Sequence, residues 1–126
     1  MTGVISRPPE WAVQHTPAAA AAATIAKAAQ TNATHYVTSI TVTLGGTSAT
    51  TAGLAFNLRD STTGAGNILW SGKLANLANV TNSIAIGGLN IKGVKGQAVC
   101  LESASAPGSN VSATVAMTGY TEEEVV

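Results

Sequence analysis

The sequence predicts an all-β protein: an antiparallel β-sandwich, jelly-roll-like, of about seven or eight strands, with an extended N-terminal arm. Three observations lead there. Short runs alternate apolar and polar residues at the period of a strand with one buried face, and β-branched residues dominate them. Glycine, asparagine, aspartate and proline punctuate these runs at short intervals. No stretch keeps a helical period, and no repeat of a solenoid or propeller is evident.

The clearest element is a hairpin from Leu54 to Trp70. Leu54, Phe56 and Leu58 alternate with Ala55, Asn57 and Arg59, and residues 60–66 supply the short polar groups and glycines that reverse a chain. Ile68, Leu69 and Trp70 form the return arm, so Phe56 and Trp70 are expected to be the largest pieces of the core. Asp60 reads as a turn cap and Arg59 as a residue of an exposed strand face.

Taken in order, residues 1–21 read as the arm. Pro8, Pro9 and Pro17 oppose regular hydrogen bonding, while Val4, Ile5, Trp11 and Val13 show no strand or helix period. A solvated tail does not usually carry tryptophan, so these four side chains are expected either to fold back on their own domain or, the favoured reading, to contact a neighbouring subunit. Thr16 and Pro17 before six alanines could start a helix. The alternation in Thr24 to Lys27 favours instead an extended arm that becomes an edge strand near Ala22. The sandwich then spans 22–120.

His35 to Leu44 is a long strand, expected to place Tyr36, Thr38, Ile40, Val42 and Leu44 on one face and a solvated or interface His35 on the other. Ser83 to Ile86 and Leu89 to Ile91 flank Gly87-Gly88, where a bulge or corner is expected. Gln97 to Ser103 suits an inner strand, with Cys100 a buried small hydrophobe. Val111 to Thr118 is the last strand. Residues 121–126 carry three successive glutamates that favour solvent.

Composition narrows function further. With 126 residues, six basic and six acidic, the chain fits one domain of zero formal charge and has no electrostatic footprint for nucleic acid or an anionic membrane. Only 10% of residues are charged, against about 25% in an ordinary soluble domain, so the surface is expected to be partly covered by other copies, as a homotrimer or a dimer. No apolar run approaches the roughly 20 residues of a membrane span and no signal-peptide order is present, so a soluble protein made in the cytoplasm is expected. His15 and His35 are the only histidines and Asp60 the only aspartate; a Ser, His35, Asp60 triad would lack any nucleophile motif such as Gly-x-Ser-x-Gly, and no metal-ligand spacing occurs. Gly64-Ala65-Gly66 leads into a strand, whereas a phosphate cradle opens a helix. The expectation is therefore no catalytic site, no cofactor and no metal. The sequons at Asn32, Asn79 and Asn110 carry no weight in a chain this rich in Asn, Ser and Thr.

His35 to Thr41 (HYVTSIT), Asn57 to Trp70 (NLRDSTTGAGNILW), Gly88 to Lys92 (GLNIK) and the closing Gly119-Tyr120 together resemble small β-sandwich virion proteins of tailed bacteriophages, of the capsid decoration (cement) or head and tail fibre type. The resemblance covers about Ala22 to Tyr120, rests on structural motifs and carries over no binding residue. It implies a non-enzymatic protein on the virion surface, made in the bacterial host cytoplasm, that assembles on the major capsid protein as dimers or trimers; the Pro-rich arm has no match in that pattern, and Val4, Ile5, Trp11 and Val13 are expected at the partner interface from their apolar character alone. The alternative is a fibre module that binds a host-surface carbohydrate or receptor, with Trp11, Tyr36 and Tyr120 as the available aromatics.

Overall fold

The period of two read from the sequence is realised throughout. In the computed structural model, which describes residues 10–49, 53–62 and 64–124, the described residues form nine strands and no helix. These are β1 (Glu10–His15), β2 (Thr24–Lys27), β3 (Ala33–Gly46), β4 (Leu54–Arg59), β5 (Ile68–Leu74), β6 (Asn82–Ile86), β7 (Ile91–Lys92), β8 (Val99–Ser103) and β9 (Val111–Glu123). One sheet has the order β1-β9-β3-β6, with the short β7 also on β3; the other has the order β2-β8-β4-β5. Every pairing is antiparallel. The chain alternates between sheets from β1 to β4, turns back within the second sheet at the β4–β5 hairpin, then alternates again through β6, β8 and β9. That is the double Greek key of a jelly roll.

The two inner faces meet in one core built from Val37, Ile40, Val42 and Leu44 of β3, Leu54, Phe56 and Leu58 of β4, Val99 and Leu101 of β8, and Val111, Ala113, Val115 and Met117 of β9. The expected hairpin is present, and Asp60 does cap its turn, its Oδ1 accepting from the Asn67 amide at 2.7 Å. The longest pairing, however, joins 14-residue β3 to 13-residue β9 at the centre of the first sheet. The hairpin's second arm, β5, is an edge strand. This position corrects the expectation for Trp70: Phe56 is fully buried, whereas Trp70 is half-buried at the rim. Its indole lies over Gly72, where an added Cβ would sit 2.9 Å from the ring.

The expected faces of β3 are also corrected. Register shifts between Val37 and Ser39, making Thr38 the extra residue of a bulge. Before it His35 and Val37 point inward; after it Ile40, Val42 and Leu44 do, and Tyr36 and Thr38 lie on the outer face. His35 is therefore fully buried rather than solvated. The corner expected at Gly87-Gly88 separates β6 from β7 along the same side of β3, and the Leu89 amide there donates to the carbonyl of Thr38 at 2.9 Å.

Within the segment read as an arm, Glu10–His15 is a sheet strand on β9. The prolines flank it instead of interrupting it, and Trp11, Val13 and His15 alternate inward against exposed Glu10, Ala12 and Gln14. The alanine run forms a turn, with the Ala20 amide donating to the Val111 carbonyl at 2.8 Å. β2 is the expected edge strand and β8 the expected inner one, with Cys100 buried. At the other end β9 continues to Glu123, because Gln30 bonds Glu123 and Lys95 pairs with Glu124, which offsets the repulsion expected to release the glutamates. Asn32, Asn79 and Asn110 all adopt left-handed turn conformations, φ +56°, +63° and +58°, a structural reason for asparagine at each.

Phe56→Ala should cost about 3–5 kcal/mol, the usual penalty for emptying a buried aromatic site, and Trp70→Ala clearly less. Urea denaturation of the two variants checks the order; equal costs would place the indole in the core.

Candidate functional site

Polar and aromatic chemistry converges on the first sheet where β1, β9 and β3 run side by side. Because the bulge turns both Thr38 and Ser39 outward, their hydroxyls meet that of Thr118 on β9, at 3.0 and 2.5 Å. One turn of the pleat away Tyr36 and Tyr120 are direct cross-strand partners, and their rings stack with centroids 4.8 Å apart and planes within 4°. The Tyr120 hydroxyl donates to Asn90 Oδ1 at 3.0 Å. Partial desolvation, and then the neighbouring Glu122 carboxylate, hold the Tyr36 phenol above its ordinary range, so it is neutral at physiological pH. Since Tyr36 covers one face of Tyr120, the other face turns toward β1, where Glu10 is the paired residue. A solvent-open groove of about 520 Å³ lies there, lined by Tyr120, Glu10, Ala12, Thr38 and Thr118 among others.

The groove rests on a hydrogen-bonded interior. Trp11 Nε1 donates to Thr121 Oγ1 at 3.1 Å, Thr121 Oγ1 lies 2.7 Å from His35 Nδ1, and His35 Nε2 lies 2.7 Å from the Ala28 carbonyl. A carbonyl only accepts, so the imidazole carries its proton on Nε2 and Nδ1 is left to accept from Thr121. The Trp11 and His35 rings meet edge to face, centroids 6.0 Å apart. Gly119 makes room for this: a Cβ there would stand 2.0 Å from the Tyr36 carbonyl and 2.5 Å from the indole. His15 is likewise structural, its Nδ1 accepting from the Thr24 amide at 3.2 Å.

Of the expected partner contacts, Trp11 and Val13 pack, half-buried, against their own core, while Val4 and Ile5 lie outside the described residues. Arg59, expected on an exposed face, is mostly covered and ion-paired with buried Glu102, whose second oxygen accepts from the Gly64 amide at 3.1 Å. This pair folds the β4–β5 turn over the outer side of β8, which is why that strand is buried on both faces. His35 and Asp60 are not brought together: each is hydrogen-bonded in a different sheet. Among the described residues no three His, Cys, Asp or Glu side chains group so as to hold a metal ion.

No protein-family model and no curated protein matches the chain. Among solved structures it is similar to the coat protein of Tobacco streak virus, at 10% identity and a TM-score of 0.40 over 98% of this chain and 94% of that one. The dimer of that coat protein gives 10% identity and 0.39 over 93% and 88%. A CBM4 structure gives 6% identity and 0.44 over 90% and 84%. Likenesses this distant carry no argument about partner or chemistry.

Two substitutions test the interior. Thr121→Val should cost about 1–3 kcal/mol, because it strands a tryptophan N–H and a histidine nitrogen in one step; urea denaturation reads it. Gly119→Ala should displace the indole, seen as a red shift of tryptophan emission in a Trp70→Phe background that leaves Trp11 as reporter. Unchanged emission would mean that the backbones can separate without disturbing β1.

Proposed function

We propose that this chain is a structural subunit of a virus particle, a decoration or cement protein that binds the major capsid protein on the capsid surface of a tailed bacteriophage, made in the host cytoplasm. The observation that carries this reading is the outer face of the first sheet. Between the tyrosine pair and the far end of β3 and β9, every outward position is uncharged and small or amide-bearing, as at Gln14, Thr41, Thr43, Ala85, Thr114 and Ala116. A broad, flat, neutral face of this kind permits close approach of another subunit, and zero net charge removes the repulsion that keeps small domains apart. Leu77 and Val80, 63% and 43% exposed on the β5–β6 connection, add apolar area that a neighbour can cover. The further contacts proposed are Val4 and Ile5, with the exposed remainder of Trp11 and Val13 along the edge strand. Repetition over a lattice then multiplies a modest gain per copy.

The test separates the segment before β1 from the sandwich itself. Deleting residues 1–9 leaves every described strand in place, so the melting temperature should stay within a few degrees of the full chain while occupancy on purified capsids falls at least tenfold. Unchanged occupancy would remove Val4 and Ile5 from the interface, and no binding by the full chain would remove the capsid reading. A homotrimer, or failing that a dimer, is expected for the shortened chain by light scattering; a monomer mass independent of concentration would count against self-association through the sheet face.

A further inference from the structure

We propose that the groove between Tyr120 and β1 is a binding site for a neutral β-linked hexopyranose, one residue of a longer glycan. This does not rest on the capsid reading, since a protein on a head or in a fibre could carry such a site equally.

The chemistry is that of the lining groups. A β-linked gluco- or galacto-configured ring presents one face of axial C–H groups and a rim of hydroxyls. The free face of Tyr120 supplies an electron-rich plane for the first, and the Thr38 and Thr118 hydroxyls supply donors and acceptors for the second. Ala12, exposed on β1 opposite Thr118, keeps the floor low enough for a ring to enter. The groove volume of about 520 Å³ lies within the roughly 300–1,000 Å³ range of small-ligand sites. Its open side suits an internal residue of a chain.

The aromatic wall is fixed before any ligand arrives. Tyr36 supports it from behind at 4.8 Å, and Asn90 holds its hydroxyl at 3.0 Å, so little side-chain freedom remains to be lost on binding. Among the described residues no Lys or Arg lines the groove, which disfavours phosphates, nucleotides and acidic sugars.

The test is a titration of the full ¹⁵N-labelled chain with cellotetraose and with methyl β-lactoside, with sialyllactose for comparison. Saturable amide shifts at Ala12, Thr118, Gly119 and Tyr120 are expected with at least one of the two neutral sugars. Tyr120→Ala should weaken binding at least tenfold and Tyr120→Phe less than threefold. Because Tyr120→Ala could disturb the sheet, Ala12→Phe provides a second probe: it fills the groove from an exposed strand position and should abolish the shifts with the melting temperature unchanged. No saturable shift from either neutral sugar up to about 20 mM would overturn the proposal. So would shifts produced by sialyllactose alone, shifts that survive both Tyr120→Ala and Ala12→Phe, or shifts that track protein concentration without sugar, the last marking the groove as a contact between copies.

Discussion

Thr38 is the extra residue of a bulge in β3, and because side chains alternate strictly along a strand, that insertion exchanges the inward and outward residues on its two sides. Without it, a strand that buries Ile40, Val42 and Leu44 would also bury Tyr36 and would turn His35 and Val37 to solvent. With it, both halves of the 14-residue strand give their apolar residues to the core. The same residue organises what lies around it. Its carbonyl takes the Leu89 amide across the gap between β6 and β7, and its hydroxyl joins Ser39 in meeting Thr118. Tyr36 and Tyr120 stand as an outward pair just before the shift. One local irregularity thus sets the core, the break in the edge lane and the wall of the groove.

The interior on the His35 side depends on that phase change. Once His35 points inward it must be hydrogen-bonded on both nitrogens, since a buried unpaired polar group costs about 1–3 kcal/mol. Ala28 satisfies one and Thr121 the other, and the Thr121 oxygen, having given its proton to His35, accepts from Trp11. The chain of bonds runs from edge strand β1 through β9 and β3 to the connection after β2, so it ties the two sheets together at one end of the sandwich. Lys27 closes it, with its ammonium 6.0 Å from the Trp11 ring centroid. The edge strand is short and would be weakly held by ladder bonds alone. Trp11 is the anchor that makes residues 10–15 part of the domain.

How much of this the sequence disclosed follows from the range of each interaction. The β4–β5 hairpin was legible because its alternation, turn residues and Asp60 cap lie within some twenty residues, and the strand periods elsewhere gave the sandwich and its jelly-roll character. Strand β1 was obscured by its prolines, although Trp11, Val13 and His15 alternate; the alternation is visible only if histidine is allowed an inward place. The bulge did leave a trace, since Val37 and Ile40 are three apart where a regular strand would place them two or four apart. Arg59 and Glu102, or His35 and Thr121, could not be paired in advance. Their partners are 43 and 86 residues away, and only the register of β4 on β8 and of β3 on β9 brings them together.

The two outer surfaces of the sandwich then divide the remaining work unequally. On the second sheet, the Arg59–Glu102 pair and the β4–β5 turn cover β8 from outside, so that strand is closed off by the chain itself. On the first, no segment among the described residues crosses β3 and β9, and their outward Thr, Ser and Ala residues are half-exposed. Short side chains there cannot shield the sheet as long lysines or glutamates would, and they give little charge repulsion against an approaching surface. The aromatic pair interrupts this flat area only at the bulge, where the ladder is already irregular. A neutral, largely uncharged sheet face and a single rigid aromatic ledge at its margin are therefore consequences of the same strand pairing.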